Sequence, residues 1–163
     1  MKATALLKKD HAAVKKLLTD FGRTSQRAVR RREELLDRIA KELEIHTAIE
    51  EEIFYPAVKE VPGGASLISE ARSEHKEVDG LVAEAQGMAM DSVDVAEKVA
   101  EIKAAVLHHA TEEEREMFPL AERELAAQLN DLGAEMQKRK TTLARSRLQA
   151  AKRAIKKAIR KAA

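Results

Sequence analysis

Six side chains in this sequence have the types and spacing to hold metal ions. The stretch "HTAIEEEIFYP" places His46 four residues before Glu50, and "HATEEEREMFP" places His109 four residues before Glu113. On an α-helix, residues i and i+4 differ by about 40° in azimuth, so each imidazole and its carboxylate project from one face. Both stretches close on an aromatic residue and a proline at one offset, Tyr55 with Pro56 and Phe118 with Pro119. Two more histidines, His11 and His75, precede His46 and His109 by 35 and 34 residues, so the chain reads as two copies of a helical hairpin. One HxxxE pair is weak in a chain with 28 Asp and Glu. Two with the same ending and the same upstream partner form a motif whose context supports metal binding.

Elements that could bring these groups together are helical. The 163 residues fit one domain, charged residues make up 36% and aromatic residues 2%, and Ala, Leu, Glu, Lys and Arg dominate, so an all-α fold without a sheet is expected. Apolar residues recur at helical spacing, as in Val14, Leu17, Leu18, Phe21 and in Leu35, Leu36, Ile39, Leu43. Breaks fall at "VPGG" (61–64), at "MDSVD" where Asp91 or Ser92 can cap a helix, weakly at "TSQRAV", and at "NDLG" (130–133). If antiparallel helices hold His11, His46, His75 and His109 at one depth, the turns must lie at about residues 28, 60 and 92, the midpoints between successive histidines. Two of those positions fall at strong breaks and one beside the weak break. The expected architecture is an up-down-up-down four-helix bundle over residues 1–129 with an additional basic amphipathic helix or tail over 130–163, and bundles build metal sites between facing helices.

Composition narrows the chemistry. There is no cysteine, so disulfides, thiolate ligands and thiol catalysis are excluded and any metal must be held by nitrogen and oxygen. No run of eighteen apolar residues exists and "MKATALLKKDH" lacks the apolar region of a secretory signal, so a cytoplasmic protein with no transmembrane segment is expected. The net charge of +2 hides an asymmetry: residues 138–163 carry eleven Lys or Arg and no acid, whereas the rest carries 19 basic against 28 acidic residues, a balance of −9. Leu143, Leu148, Ala151, Ile155 and Ile159 lie near one stripe of that basic segment. Docking on the bundle, on a second subunit, or on an anionic surface would each suit it. With no aromatic to stack on bases, specific nucleic-acid binding is not expected.

The order "DH", "HTAIEEEIFYP", "EH", "HATEEEREMFP" resembles the hemerythrin family, specifically the HHE cation-binding domains, over about residues 3–125. The resemblance implies a four-helix bundle with a non-heme di-iron centre, two ions per chain, bridged by two carboxylates and finished by histidines. Carried over by position, the ligands are His11, His46, Glu50, His75, His109 and Glu113. His108 lies about 100° from His109. The equal spacing from Glu50 to Pro56 and from Glu113 to Pro119 selects His109. Oxygen-carrying members have a further histidine four residues after the one on the third helix; this chain has Asp79 there. That carboxylate has three open roles: metal ligand, outer hydrogen-bond partner of a ligand imidazole, or solvent-facing residue, of which the outer partner is expected. Tyr55 is expected to pack, with hydrogen bonding to the centre, redox chemistry and ligation as other roles. Glu51, Glu52, Glu112 and Glu114 are read as a solvated acidic surface.

An oxygen- and nitrogen-only set suits iron, manganese or zinc, and the resemblance favours iron. Losing a nitrogen at position 79 leaves room for inner-sphere chemistry on hydrogen peroxide or nitrogen oxides, so a catalase-like activity is the leading expectation. The alternative is a non-enzymatic protein that binds or senses oxygen, nitric oxide or iron.

Overall fold

The computed structural model describes the backbone of residues 1–162 and the side chains of residues 1–155. Helix α1 (Ala3–Gly22) runs into α2 (Val29–Ile49), which continues through one π turn (Glu50–Phe54) into α3 (Tyr55–Lys59). Helix α4 (Gly64–Gln86) follows, then α5 (Val93–Glu112), which continues through a second π turn (Glu113–Met117) into α6 (Phe118–Glu124). The last helix, α7, spans Leu129–Ala162. These pieces make five rods, four in an antiparallel bundle and one laid across it, and no strand occurs among the described residues. The protein is all-α, as its composition predicts. No helix among the described residues is long and apolar enough to cross a membrane.

The turns explain the register. Ser92 opens α5, its hydroxyl accepting from the Val95 N–H at 3.2 Å, so of the two candidate caps the serine serves. In "VPGG" the backbone of Gly63 adopts φ +84°, a left-handed conformation that glycine reaches without the Cβ penalty. The fourth break is displaced. The chain turns at residues 125–128, and "NDLG" lies inside the first turns of α7. Gly133 marks a close approach there: a Cβ on it would fall 2.1 Å from the Met1 carbonyl oxygen, so the missing side chain lets α7 cross the start of α1.

Two apolar cores are stacked along the bundle. One, at the aromatic end, contains Leu7, Ile49, Phe54, Tyr55, Met117 and Phe118 and is covered by Leu129 and Met136 of α7. The other is mainly aliphatic, built from Val14, Leu18, Leu35, Ile39, Val99, Ile102 and their neighbours. On each long helix the histidine falls between the last residue of one core and the first of the other.

Helix α7 is fastened along α1 and α2 by charge as well as by packing. Arg139 grips Glu52 through two nitrogens at 2.6 and 2.9 Å, Lys140 pairs with Asp10, and Arg147 pairs with Glu44. Beyond Arg147 a surface groove of about 710 Å³ opens between α2, α4 and α7, and Leu148 and Ile155 are exposed.

Far from α7, Arg32 holds the other end of the bundle. It is 3% exposed without a carboxylate partner, and instead donates to the Met90 and Ser92 carbonyls at 2.7 and 3.2 Å and to the Thr24 hydroxyl at 2.9 Å, while lying over the Phe21 ring. One side chain thus ties the α1–α2 and α4–α5 turns. Replacing it leaves carbonyls short of donors, and each bond to a charged donor contributes about 1.5–3 kcal/mol. Arg32→Met is expected to lower unfolding free energy by about 2–3 kcal/mol; urea denaturation of the two proteins measures it.

Candidate metal centre

The polar layer between the two cores is built by one residue or pair from each rod: His11 on α1, His46 and Glu50 on the second rod, His75 on α4, His109 and Glu113 on the fourth. His11, His46, Glu50, His109 and Glu113 offer ligand atoms that all lie within 4.8 Å of one another, and every one of these residues is buried. His75 joins at the edge, its Nε2 lying 3.3 Å from Glu50 Oε2 and 3.2 Å from His109 Nε2.

The imidazoles form two pairs. His11 and His46 have ring centroids 4.8 Å apart, His75 and His109 4.7 Å apart, both edge-on. Each carboxylate touches both pairs. Glu50 places Oε1 3.2 Å from His46 Nε2 and Oε2 3.3 Å from His75 Nε2. Glu113 Oε2 lies 3.3 Å from His11 Nε2 and 3.7 Å from His109 Nε2.

A feature absent from ideal helix geometry sets the two carboxylates. Pro56 has no N–H, and in an unbroken α-helix its ring would meet the carbonyl four residues earlier. The backbone widens instead: the Tyr55 N–H bonds to the Glu50 carbonyl five residues back, and the Phe118 N–H bonds to the Glu113 carbonyl in the same way. Each aromatic-proline pair therefore marks the end of a π turn that begins at the inward-facing glutamate, in keeping with the association of such turns with functional sites.

Outside the layer, carboxylates face the Nδ1 atoms. Glu114 lies 2.9 Å from His11 Nδ1, Glu51 3.1 Å from His75 Nδ1, Glu74 2.8 Å from His109 Nδ1, and Asp10 3.9 Å from His46 Nδ1. In the first three a hydrogen-bonded carboxylate on Nδ1 fixes the ring so that Nε2 presents its lone pair inward, and raises its basicity as a ligand, whereas Asp10 faces His46 Nδ1 beyond hydrogen-bond distance. The expected solvated surface is thereby corrected at two positions, since Glu51 and Glu114 turn to the histidines; equal steps of 100° do not hold through a π turn. Glu52 instead meets Arg139. Asp79 is corrected as well. It is exposed and lines the groove beneath α7, one helical turn beyond His75, where the bundle has closed over Val78 and Val82. His108 is 65% exposed, off the layer.

Tyr55 does more than pack. Its ring stacks on His75 with centroids 5.6 Å apart, and its hydroxyl donates to Glu113 Oε1 at 2.9 Å and lies 3.3 Å from His75 Nε2. Phe118, its counterpart in the second half, stacks on His11 but brings no hydroxyl.

These residues fit a cation. His11 Nε2, His46 Nε2, both Glu50 oxygens and Glu113 Oε2 are buried with no hydrogen-bond partner, a cost of several kcal/mol in an apolar setting unless something compensates it. Burial pushes Glu50 well above the usual carboxylate range, with the Glu113 charge adding to it. Burial would raise Glu113 too, but the neighbouring His11 imidazole and the His109 and His46 rings outweigh it and hold this carboxyl at about 2. Burial drives His46 down to about 4 and lowers His75, the latter helped by His109, so their lone pairs are free at neutral pH.

A buried layer of imidazoles and carboxylates inside an up-and-down bundle defines a metal-binding helical protein with a nitrogen and oxygen donor set. The family described as Hemerythrin HHE cation binding domain matches residues 2–121, and the chain belongs to that family. Among solved structures it is similar to a Hemerythrin HHE cation binding domain-containing protein from Mycobacterium kansasii, with a TM-score of 0.79, 27% identity and 91% of each chain covered. No curated protein matches the chain.

Loss of an outer carboxylate typically costs about 10–100-fold in metal affinity. Glu51→Gln and Glu114→Gln are each expected to weaken metal binding by about that factor with unchanged helix content, as measured by competition with a chelator and by circular dichroism.

Proposed function

We infer that the chain is a non-heme di-iron protein that reacts with small oxidants, and that hydrogen peroxide is the one it decomposes. His11 and His46 would hold one ion, His75 and His109 the other, with Glu50 and Glu113 reaching both. The carrying observation is that Asp79 is exposed and turned to the groove, so two ions would share four imidazoles and two carboxylates, which would leave positions for a ligand from solution. When bound, an iron pair supplies Lewis acidity and two exchangeable electrons, enough for two hydrogen peroxide molecules to yield one dioxygen and two waters. Nitrogen oxides are a second substrate class for the same positions.

The chain's own residues support that chemistry. The apolar cores on either side keep bulk water from the layer. Tyr55 carries a hydroxyl in the layer, and burial, reinforced by the Glu50 and Glu113 charges, holds its proton well above the ordinary phenol range. The phenol therefore stays a donor, aimed at Glu113 Oε1 and beside His75 Nε2. It can give a hydrogen bond to an oxidant oxygen at that side of the pair. The Phe118 side offers no such donor.

The test is anaerobic loading of metal-free protein with ferrous iron, then metal analysis and an oxygen electrode. Two irons per chain and oxygen release at half the rate of peroxide loss are expected. Tyr55→Phe should retain iron and slow turnover by about 10²-fold, the scale of one positioned hydrogen-bond donor. Reversible oxygen-dependent absorption bands without oxygen release would replace this reading with the binding one.

A further inference from the structure

The two halves of the bundle correspond residue by residue, and they differ on one face. In the first half Leu6, Ile45, Ile49 and Ile53 form an apolar strip that α7 covers, and Lys140 of α7 pairs with Asp10 at its centre. The equivalent positions of the second half are Glu70, His108, Glu112 and Glu116, and the equivalent of Asp10 is Glu74. Among the described residues no helix covers this face. Among the described residues no Lys or Arg forms an ion pair with Glu70, Glu74, Glu112 or Glu116; the ion pairs of Glu74 and Glu112 are with histidines.

Glu74, His108 and Glu112 offer ligand atoms within 4.8 Å of one another. His108 Nε2 lies 3.3 Å from Glu74 Oε1 and 3.5 Å from Glu112 Oε1. The other Glu74 oxygen, Oε2, is the one that meets buried His109. Beside the trio is a cavity of about 20 Å³ lined by Glu70, Glu74, Glu112, Glu113, Glu116 and three apolar side chains, with room for one water-sized particle. Glu113 is 2% exposed, its Oε1 accepts from Tyr55 and its Oε2 has no hydrogen-bond partner, so the cavity borders a buried residue of the central layer. On the outer side, Glu77 and Glu101 join Glu74 and His108 around an open basin.

We propose that Glu74, His108 and Glu112 form a surface site for a divalent cation, which takes the place Lys140 holds against Asp10 in the other half and passes ions to the buried centre along the cavity to Glu113. One nitrogen and several carboxylate oxygens suit ferrous iron or manganese and leave positions for water, as a transit site requires. An acidic basin concentrates cations before they bind and raises capture rates by 10–10³-fold. The delivery step rests on the centre holding metal; the surface site does not.

The experiment uses full-length metal-free protein and the double variant His108→Ala/Glu112→Gln. His108 and Glu112 are exposed enough to be replaced without disturbing the cores, and Glu74 is kept because His109 depends on it. Titration with cobalt(II) should show one weakly held ion per chain beyond those held tightly, and the variant should lose that ion alone. Loading with substoichiometric ferrous iron should be about tenfold slower in the variant with the same final content. An unchanged cobalt count, or an unchanged loading rate, overturns the proposal. If the wild type holds no tight metal, the di-iron reading fails, and the weak cobalt ion and its loss in the variant still decide the surface site.

Discussion

Buried polar atoms without partners constrain everything else in this protein. A layer of four imidazoles and two carboxylates is sealed between two apolar cores, and five of its inward-facing donor atoms have no hydrogen-bond partner within the protein. An arrangement of this kind is costly unless a positive charge occupies its centre. The rest of the fold limits that cost from outside: a carboxylate faces every Nδ1, aromatic rings lie over His11 and His75, and proline-driven π turns aim the two glutamates. Helices suit this task because one residue in each rod can be replaced by a ligand while the neighbours a turn above and below stay in the cores.

The internal repeat supplies the layer and then departs from itself. Inner positions match pair for pair, as His11 with His75, His46 with His109 and Glu50 with Glu113. Outer positions follow the same logic, because an acid precedes each lone histidine and follows each inward glutamate. Divergence shows both beside the layer and where solvent or α7 is met. Tyr55 against Phe118 gives one half a hydroxyl; Ile45 against His108 gives the other a polar face. The two histidine pairs are therefore alike in nitrogen count and unlike in their surroundings.

Much of the bundle was legible because a common depth for four histidines fixes where turns must fall, and the turns at 23–28, 60–63 and 87–92 obey that rule. The six inner groups could be found from spacing. Their outer partners could not, since straight α-helix azimuths put Glu51 and Glu114 in solvent, and only the aromatic-proline endings signalled that the backbone widens there. Asp79 misled for a related reason: four residues after His75 is the same face of α4 but one turn along, beyond the layer. Gly133 read as a helix stop because glycine serves both to end helices and to let two backbones meet, and sequence does not separate these uses.

Lys140 belongs to a helix that contributes nothing to the layer, yet it pairs with Asp10, and Asp10 faces His46. The chain's last helix thus stands only two contacts from an inward-facing imidazole. Peeling α7 away would free Asp10 to draw more strongly on that ring, altering how much electron density His46 can donate. The last helix and the bundle's interior thus share one carboxylate, Asp10.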